Sequence, residues 1–473
     1  MQESPQSLQK NFFHFQEIKN FSPVQASSLK GNILICILRF LYRIITIING
    51  GKWSQPITDF EENPAYTKPN EVLYLGYKYY FRIPFRYPEK IVNHFRNQHL
   101  DFTPSSDFIS HTKITISAGG DLMPYDRIRK VYCEKLWDEA GDFFFSSDIV
   151  FANLETPLIP SLPPSLVPEV MLHDMLFNAD EEMFEIFNGN RKYKGYDVLS
   201  TANNHSLDMG EDGIKATIEF LKSNHIAYTG TALSQTDREN FPIIERNGIK
   251  VAFLAYTYSL NKFLPVSGKE YLVNHLRTNH LQTDITPLTE DVKLAKKRGA
   301  DFVILSLHSG NAYQVFPSEH TVKMFHRIFR ETGVDAILGG HPHNPQPMEK
   351  FEFVCPFENY KKHGFAIYSL PDFVAYDIFI LDRLIPLLKL HIEKGEIDGK
   401  LRTILTSIEV LPIYNWGSKN LKKSKEIRFL DLKKTVRLTE TGQMPDFMSK
   451  KCVKELHFLN YFYDNYFLPK AKK

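Results

Sequence analysis

Residues 196–224 read YDVLSTANNHSLDMGEDGIKATIEFLKSN, and this stretch decides the fold. The apolar run YDVLSTA has the length and composition of a buried strand and ends abruptly in Asn203, Asn204 and His205. Behind it, EDGIKATIEFLKSN places Ile214, Ile218 and Leu221 on one face, the spacing of a core-facing helix. A strand, a polar tip and an amphipathic helix together make the repeating unit of a layered α/β domain. Side chains on such a tip are held by a rigid sheet, which is where function tends to sit.

Outward from this stretch the unit recurs. ITISAGG (114–120) leads to Gly119, Gly120 and Asp121, and DIVFANLE (148–155) ends in Asn153, Leu154 and Glu155. ADFVILSLH (300–308) delivers His308 ahead of Ser309 and Gly310, and VDAILGG (334–340) delivers His341, Pro342 and His343. Further strands are expected at 226–230, 249–258 and 365–370, with amphipathic helices at 126–140 and 318–333, the latter closed by Gly333. The Pro-rich run 158–168 suits neither a strand nor a helix interior and is expected to be a loop over the rim. More β-like segments, IFILDRL and TILTSIEVLPIY, finish a domain spanning 111–415. An N-terminal extension, 1–110, carries no catalytic motif. Residues 416–473 are Lys-rich and expected to form a solvated face or basic tail.

Composition narrows the chemistry. With 43% hydrophobic and 24% charged residues the chain is an ordinary globular protein. A formal net charge of +2 gives no basic footprint, so no nucleic acid is indicated as a partner. The four cysteines (Cys36, Cys133, Cys355, Cys452) form no Cys-x-x-Cys pair, which leaves oxygen and imidazole to hold any metal. Neither a P-loop, a Gly-x-Gly-x-x-Gly fingerprint nor a Gly-x-Ser-x-Gly elbow is present.

The opening MQESPQSLQKNFFHF shows no cleavable signal peptide. The apolar segment 33–48 that follows is interrupted by Arg39 and Arg43. A spanning helix needs ~20 apolar residues, and each central Arg costs about 2.5–3.5 kcal/mol. Two readings stand: a helix lying on a membrane surface, or one packed on the main domain. The chain is accordingly expected to be membrane-associated or cytoplasmic.

Singly, the polar motifs are weak. Asn-His also occurs at Asn93-His94, Asn224-His225, Asn274-His275 and Asn279-His280, without a preceding strand. Their order, each at a strand end, carries the inference. Two divalent ions ~3.5–4 Å apart need a shared anionic ligand and further ligands around them. Asp121 and Glu155 supply negative charge, with Glu155 as the natural bridge, and Asn204, His308, His341 and His343 complete the shells. His205 is then free to protonate a leaving alkoxide, and water activated by the ions is the nucleophile. One or two ions of Mn, Fe, Zn or Mg suit such ligands.

The blocks AGGDLM (118–123), ANLETPL (152–158), STANNHSLDMGEDGIKAT (200–217), LHSGNAY (307–313), GVDAILGGHPHNPQPME (333–349) and FAIYSLPDF (365–373) resemble the CapA family. That family is named for capsule poly-γ-glutamate biosynthesis and is related to calcineurin-like metallophosphoesterases. The resemblance implies a four-layer α/β/β/α sandwich with ligands between two sheets. It implies Asp121 and His343 on one metal, Asn204, His308 and His341 on the other, Glu155 bridging and His205 as general acid. The implied role is surface-polymer synthesis as a metal-dependent phosphoesterase-type hydrolase. The alternative is a non-catalytic, membrane-associated accessory protein that binds or helps export an anionic polymer. Partners implied are an anionic polymer or phosphoester substrate, a membrane surface, and a polymer synthase supplying ATP chemistry. The sequence departs from the pattern in four places. Leu122-Met123 stands for the usual x-His, Ala312 for Glu, His320 for Gln, and Pro371-Asp372 for Gly-Asn, where Asp372 offers a new carboxylate.

Overall fold

The structure, a computed structural model, describes residues 23–64, 66–172, 175–418 and 426–468; the opening MQESPQSLQKNFFHF lies outside them. Two mixed β-sheets form the centre. The first is built from β1 (Ile109–Leu122), β2 (Ile149–Leu154), β3 (Val198–Ser200), β4 (Ala227–Thr229), β11 (Leu384–Ile397), β12 (Lys400–Gly417) and β13 (Ile427–Asp431). Their spatial order is β13-β12-β11-β1-β2-β3-β4, with β1 to β4 parallel and the remainder antiparallel.

The second sheet holds β5 (Ile243–Arg246), β6 (Ile249–Thr257), β7 (Phe302–His308), β8 (Ala336–Gly340), β9 (Gln346–Val354) and β10 (Lys361–Ser369). Its order is β5-β6-β7-β8-β10-β9, with parallel strands in the middle and an antiparallel strand at each edge. Every residue of β7 is buried, as expected of a strand covered on both faces. Phe151 of β2 stacks on Phe253 of β6, with centroids 5.7 Å apart, which sets the two sheets against each other.

The helix expected over 126–140 does not run through. Only Lys130–Cys133 is α-helical there, and a second short helix follows at Gly141–Phe145. Two carbonyls that a continuing helix would use receive side-chain donors from outside, and Cys133 O also closes a tighter turn with Leu136 N. Asn190 Nδ2 donates to Cys133 O and Lys192 Nζ to Glu134 O. The helix at Glu319–Thr332 forms as expected, with Ser318 capping its start and Gly333 in the left-handed conformation at its end.

Within the Lys-rich end, residues 426–468 are built into the fold rather than trailing from it. Strand β13 extends the first sheet, and helix Lys450–Phe462 buries Leu456, Leu459 and Phe462. Lys450, Lys451 and Lys454 occupy its exposed face, so an amphipathic period was hidden inside a basic composition.

The N-terminal extension packs on this frame. Helix Leu29–Ile48 buries Gly31, Ile35 and Tyr42 and turns Arg39 inward, where it donates to Tyr80 O and Val24 O. Its other face leaves Ile33, Ile37, Phe40, Leu41, Ile44 and Ile48 exposed. The segment has the length and composition of a membrane span. Tyr79 stacks on Phe379 and donates to Asp377 Oδ1 (2.7 Å), and Val24 bridges to Phe379.

Candidate metal centre

The parallel strands of both sheets end at one edge, and the polar tips converge there, outside the carboxyl ends of the strands. Asp121 is brought in by an irregularity in β1: the pairing with β2 shifts register between Ala118 and Asp121. Gly120 is required at this point, because a Cβ would lie 1.8 Å from Pro371 O. The close approach lets Asp121 N donate to Pro371 O (3.0 Å) and Phe373 N to Asp121 O (2.7 Å). The segment 371–373 thereby runs beside the end of β1 and sets Asp372 next to Asp121.

Asn153 Nδ2 donates to Asp121 Oδ1 at 2.7 Å, and Asn203 Nδ2 donates to Leu154 O at 2.8 Å. These amides lock the tips of β1, β2 and β3 together. His308, the last residue of β7, crosses from the other sheet: its Nε2 lies 2.8 Å from Asn204 Oδ1 and 3.4 Å from Glu155 Oε1. Burial pushes His308 down to about 4, so its ring is neutral.

His341 and His343 follow β8 at φ 93° and 64°, a left-handed backbone that non-glycine residues seldom adopt. His343 Nδ1 lies 2.9 Å from Asp372 Oδ1, and its ring stacks on Tyr313. Burial opposes protonation of His343, but Asp372 and then Glu155 raise it well above the usual imidazole value. His341 sits with Nε2 3.0 Å from the Tyr258 hydroxyl and 3.4 Å from Glu61 Oε1. Burial lowers it to about 4.

Glu61 comes from the extension. Its Oε2 accepts from Ala312 N at 2.9 Å, and buried Lys78 donates to Ala312 O. A carboxylate therefore lies against position 312, where the resemblance led one to expect a Glu side chain. No short motif announces Glu61, because its partners lie some 250 residues further on.

On the rim, His205 Nδ1 meets Asp208 Oδ2 at 2.6 Å, and Phe177 stacks on the ring at 4.0 Å. Burial works against the imidazolium, yet Asp208 outweighs it and His205 is raised above its ordinary value. Asp208 lies inside the block quoted above, three residues after His205, a spacing that an Asx-type partner search would have found.

The donor set suits divalent cations. Asp121 Oδ2, both carboxylate oxygens of Glu155 and His341 Nδ1 are buried without a hydrogen-bond partner. Burial, with Glu155 beside it, pushes Asp121 well above the carboxylate range, and burial raises Glu155. Orphaned carboxylates this deep are costly unless a cation lies between them. Among the described residues, Asp121, Glu155 and His308 form one close triad of donors and Asp121, His343 and Asp372 another, with Asp372 also grouped with Asp377 and Asp382. Asp121 is common to both triads.

A family model described as bacterial capsule synthesis protein PGA_cap matches residues 115–377, over half of the chain, and the chain belongs to that family. Among its relatives, the PGA biosynthesis protein CapA of Bacillus subtilis is 28% identical over 314 residues, covering 65% of this chain and 74% of that protein. The capsule biosynthesis protein CapA of Bacillus anthracis is 26% identical over 269 residues, 55% of this chain and 60% of its own length. A probable polyglutamine synthesis accessory protein of Mycobacterium tuberculosis is 24% identical over 155 residues, covering 32% of this chain and 40% of that protein. Among solved structures, the calcineurin-like phosphoesterase YfkN of Bacillus subtilis aligns at a TM-score of 0.36 and 14% identity. That alignment covers 74% of this chain and 99% of that one.

Proposed function

We propose that this capsule-synthesis family member is a metal-dependent hydrolase of the phosphoesterase type, acting on a phosphoester or a related acyl-phosphate or amide linkage in surface-polymer synthesis. The observation that carries the reading is the set of buried, unpartnered oxygens on Asp121 and Glu155, facing neutral His308 across the two sheets. Asp121, common to both triads, would serve two ions: one with His343 and Asp372, and a second with Glu155, His308 and the adjoining Asn204 and His341. Bound ions supply Lewis-acid polarisation of the scissile group and lower the pKa of water.

The chain's own residues do the rest. Asp208 occupies Nδ1 of His205, which leaves Nε2–H as the proton donor, and its charge favours the protonated ring against the effect of burial. Phe177 fixes the plane of the ring, so the donor's direction is set before substrate arrives. Glu61 and Tyr258 orient His341. The outward apolar face of helix Leu29–Ile48 suits a membrane surface, which would hold the centre near an emerging polymer.

The second reading, a polymer-binding accessory, is favoured by Met123, which stands where a histidine ligand would complete one metal site. The two readings part on turnover. Purified protein loaded with Mn is assayed on an aryl phosphodiester beside Asp121→Asn and His205→Ala. Metal-dependent hydrolysis lost in both supports the hydrolase. Equal rates in all three folded, metal-loaded proteins favour the accessory.

A further inference from the structure

Away from the strand tips, three side chains from three elements point their donors at one spot. His94 lies on helix Glu89–Arg96 of the extension, His326 on helix Glu319–Thr332, and Glu349 in β9. His326 Nε2 is 2.9 Å from Glu349 Oε1 and 3.0 Å from Oε2. His94 Nε2 is 3.0 Å from the same Oε1. All three donors fall within 4.8 Å of one another.

Hydrogen bonding alone leaves this cluster incomplete. His94 Nε2 is buried and lies at hydrogen-bond distance from Glu349, but it is not aligned for an N–H···O bond and has no other partner. Two imidazole nitrogens thus crowd one oxygen of a carboxylate that is only 2% exposed. The surroundings fix each member in place. Phe351 stacks on the His326 ring at 3.9 Å, Phe95 sets its edge against His94, and the Tyr368 hydroxyl donates to Glu349 Oε2 at 2.6 Å. The carboxylate is thereby held from behind and the rings from the side, while His94 remains partly open to solvent.

The geometry points to a zinc-class site formed by His94, His326 and Glu349, which clips the N-terminal extension to the main domain. Two imidazoles and one carboxylate with an open fourth position are a zinc donor set. One carboxylate is too few for calcium or magnesium, which take oxygen. Bonds of ~2.0–2.1 Å in a tetrahedron set neighbouring donors about 3.3 Å apart. The spacings of 2.9 and 3.0 Å therefore need to open by only a few tenths of an ångström. This site is independent of the proposed hydrolase activity, because none of its residues belongs to the strand-tip centre.

The test is zinc stoichiometry of the full chain after stripping with EDTA, in wild type, His94→Gln and His326→Gln, with folding checked by circular dichroism. Each variant is expected to bind one equivalent fewer than wild type. Co²⁺ in wild type should show the visible absorption of four-coordination that each variant weakens, and zinc should slow amide exchange over 89–96. Mn-dependent turnover should stay within about twofold in His94→Gln. Equal zinc stoichiometry in all three folded proteins would overturn the proposal, as would exchange over 89–96 that ignores zinc.

Discussion

Asp121, Glu155 and His308 arrive at the centre on the ends of β1, β2 and β7, whereas Glu61 and Lys78 arrive on an extension that belongs to neither sheet. The strand-tip residues are fixed by ladders on both sides and by the Asn153 and Asn203 amides. Near the centre the extension is held by separate contacts rather than by a ladder: Glu61 and Lys78 meet the N–H and carbonyl of Ala312, Glu61 lies against His341, and Tyr79 meets Asp377. Groups placed by a sheet are set when the sheet forms. Groups placed by a docked arm can leave through local opening while the sheet stays intact. The proposed ligands therefore sit on the first kind of support, and Glu61, beside His341, on the second.

The contrast is broken most directly at the strand tips. His205→Ala is expected to lower metal-dependent turnover by ~10²–10⁴-fold with metal content unchanged, as measured by steady-state kinetics beside metal analysis. A loss of metal in that variant would place His205 among the ligands instead.

The arm is probed through Lys78, which burial lowers to about 8, with Glu61 partly offsetting. A lysine depressed in the folded state binds fewer protons there than when unfolded, so stability rises with pH between about 8 and 10.5. Full relief across that window is worth about 3 kcal/mol. Lys78→Met should lack this rise, and chemical denaturation of both proteins at pH 7.5 and 10 compares them. Parallel pH profiles would show that Lys78 is not charged and buried as described.

Glu61→Gln removes the charge beside His341 without disturbing the sheet, and metal affinity or turnover should fall about 10–100-fold. A drop as large as that of His205→Ala would erase the distinction between the arm and the tips. The smallest expected effect on stability is at the outer face of helix Leu29–Ile48. Ile37→Lys and Phe40→Lys should each change stability by no more than about 0.5 kcal/mol. Together they should abolish flotation with anionic vesicles. Flotation that survives both would remove that face from membrane contact.

How much of this was legible in the sequence follows the same division. Strand-tip residues are announced locally, since an apolar run stops and a polar motif begins, and Asn204, His308 and His341 all meet where that rule puts them. Asp372 was legible only as a departure from a family pattern. Glu61, Tyr258 and His94 were not legible, because their partners are set by tertiary docking over long chain separations. The broken helix at 126–140 fails for the same reason: Asn190 and Lys192, far along the chain, capture its carbonyls. The C-terminal helix carries an amphipathic period, but its lysines give the segment the composition of a solvated tail.

The pairing of Tyr79 with Asp377 spans 298 residues. At ~5–20 residues per second, about 15–60 s of synthesis separate the two partners. Helix Leu29–Ile48 leaves the ribosome long before residues 377–380, against which its neighbourhood docks, have been made. Closing so long a loop also comes late in folding, because its entropy is lost before the contact returns anything. Throughout that interval the inner face of the helix has the extension's own Tyr77 and Tyr80 to pack against, while its outer face stays bare. Whatever the nascent chain meets first, chaperone or lipid, meets this helix before its own domain does.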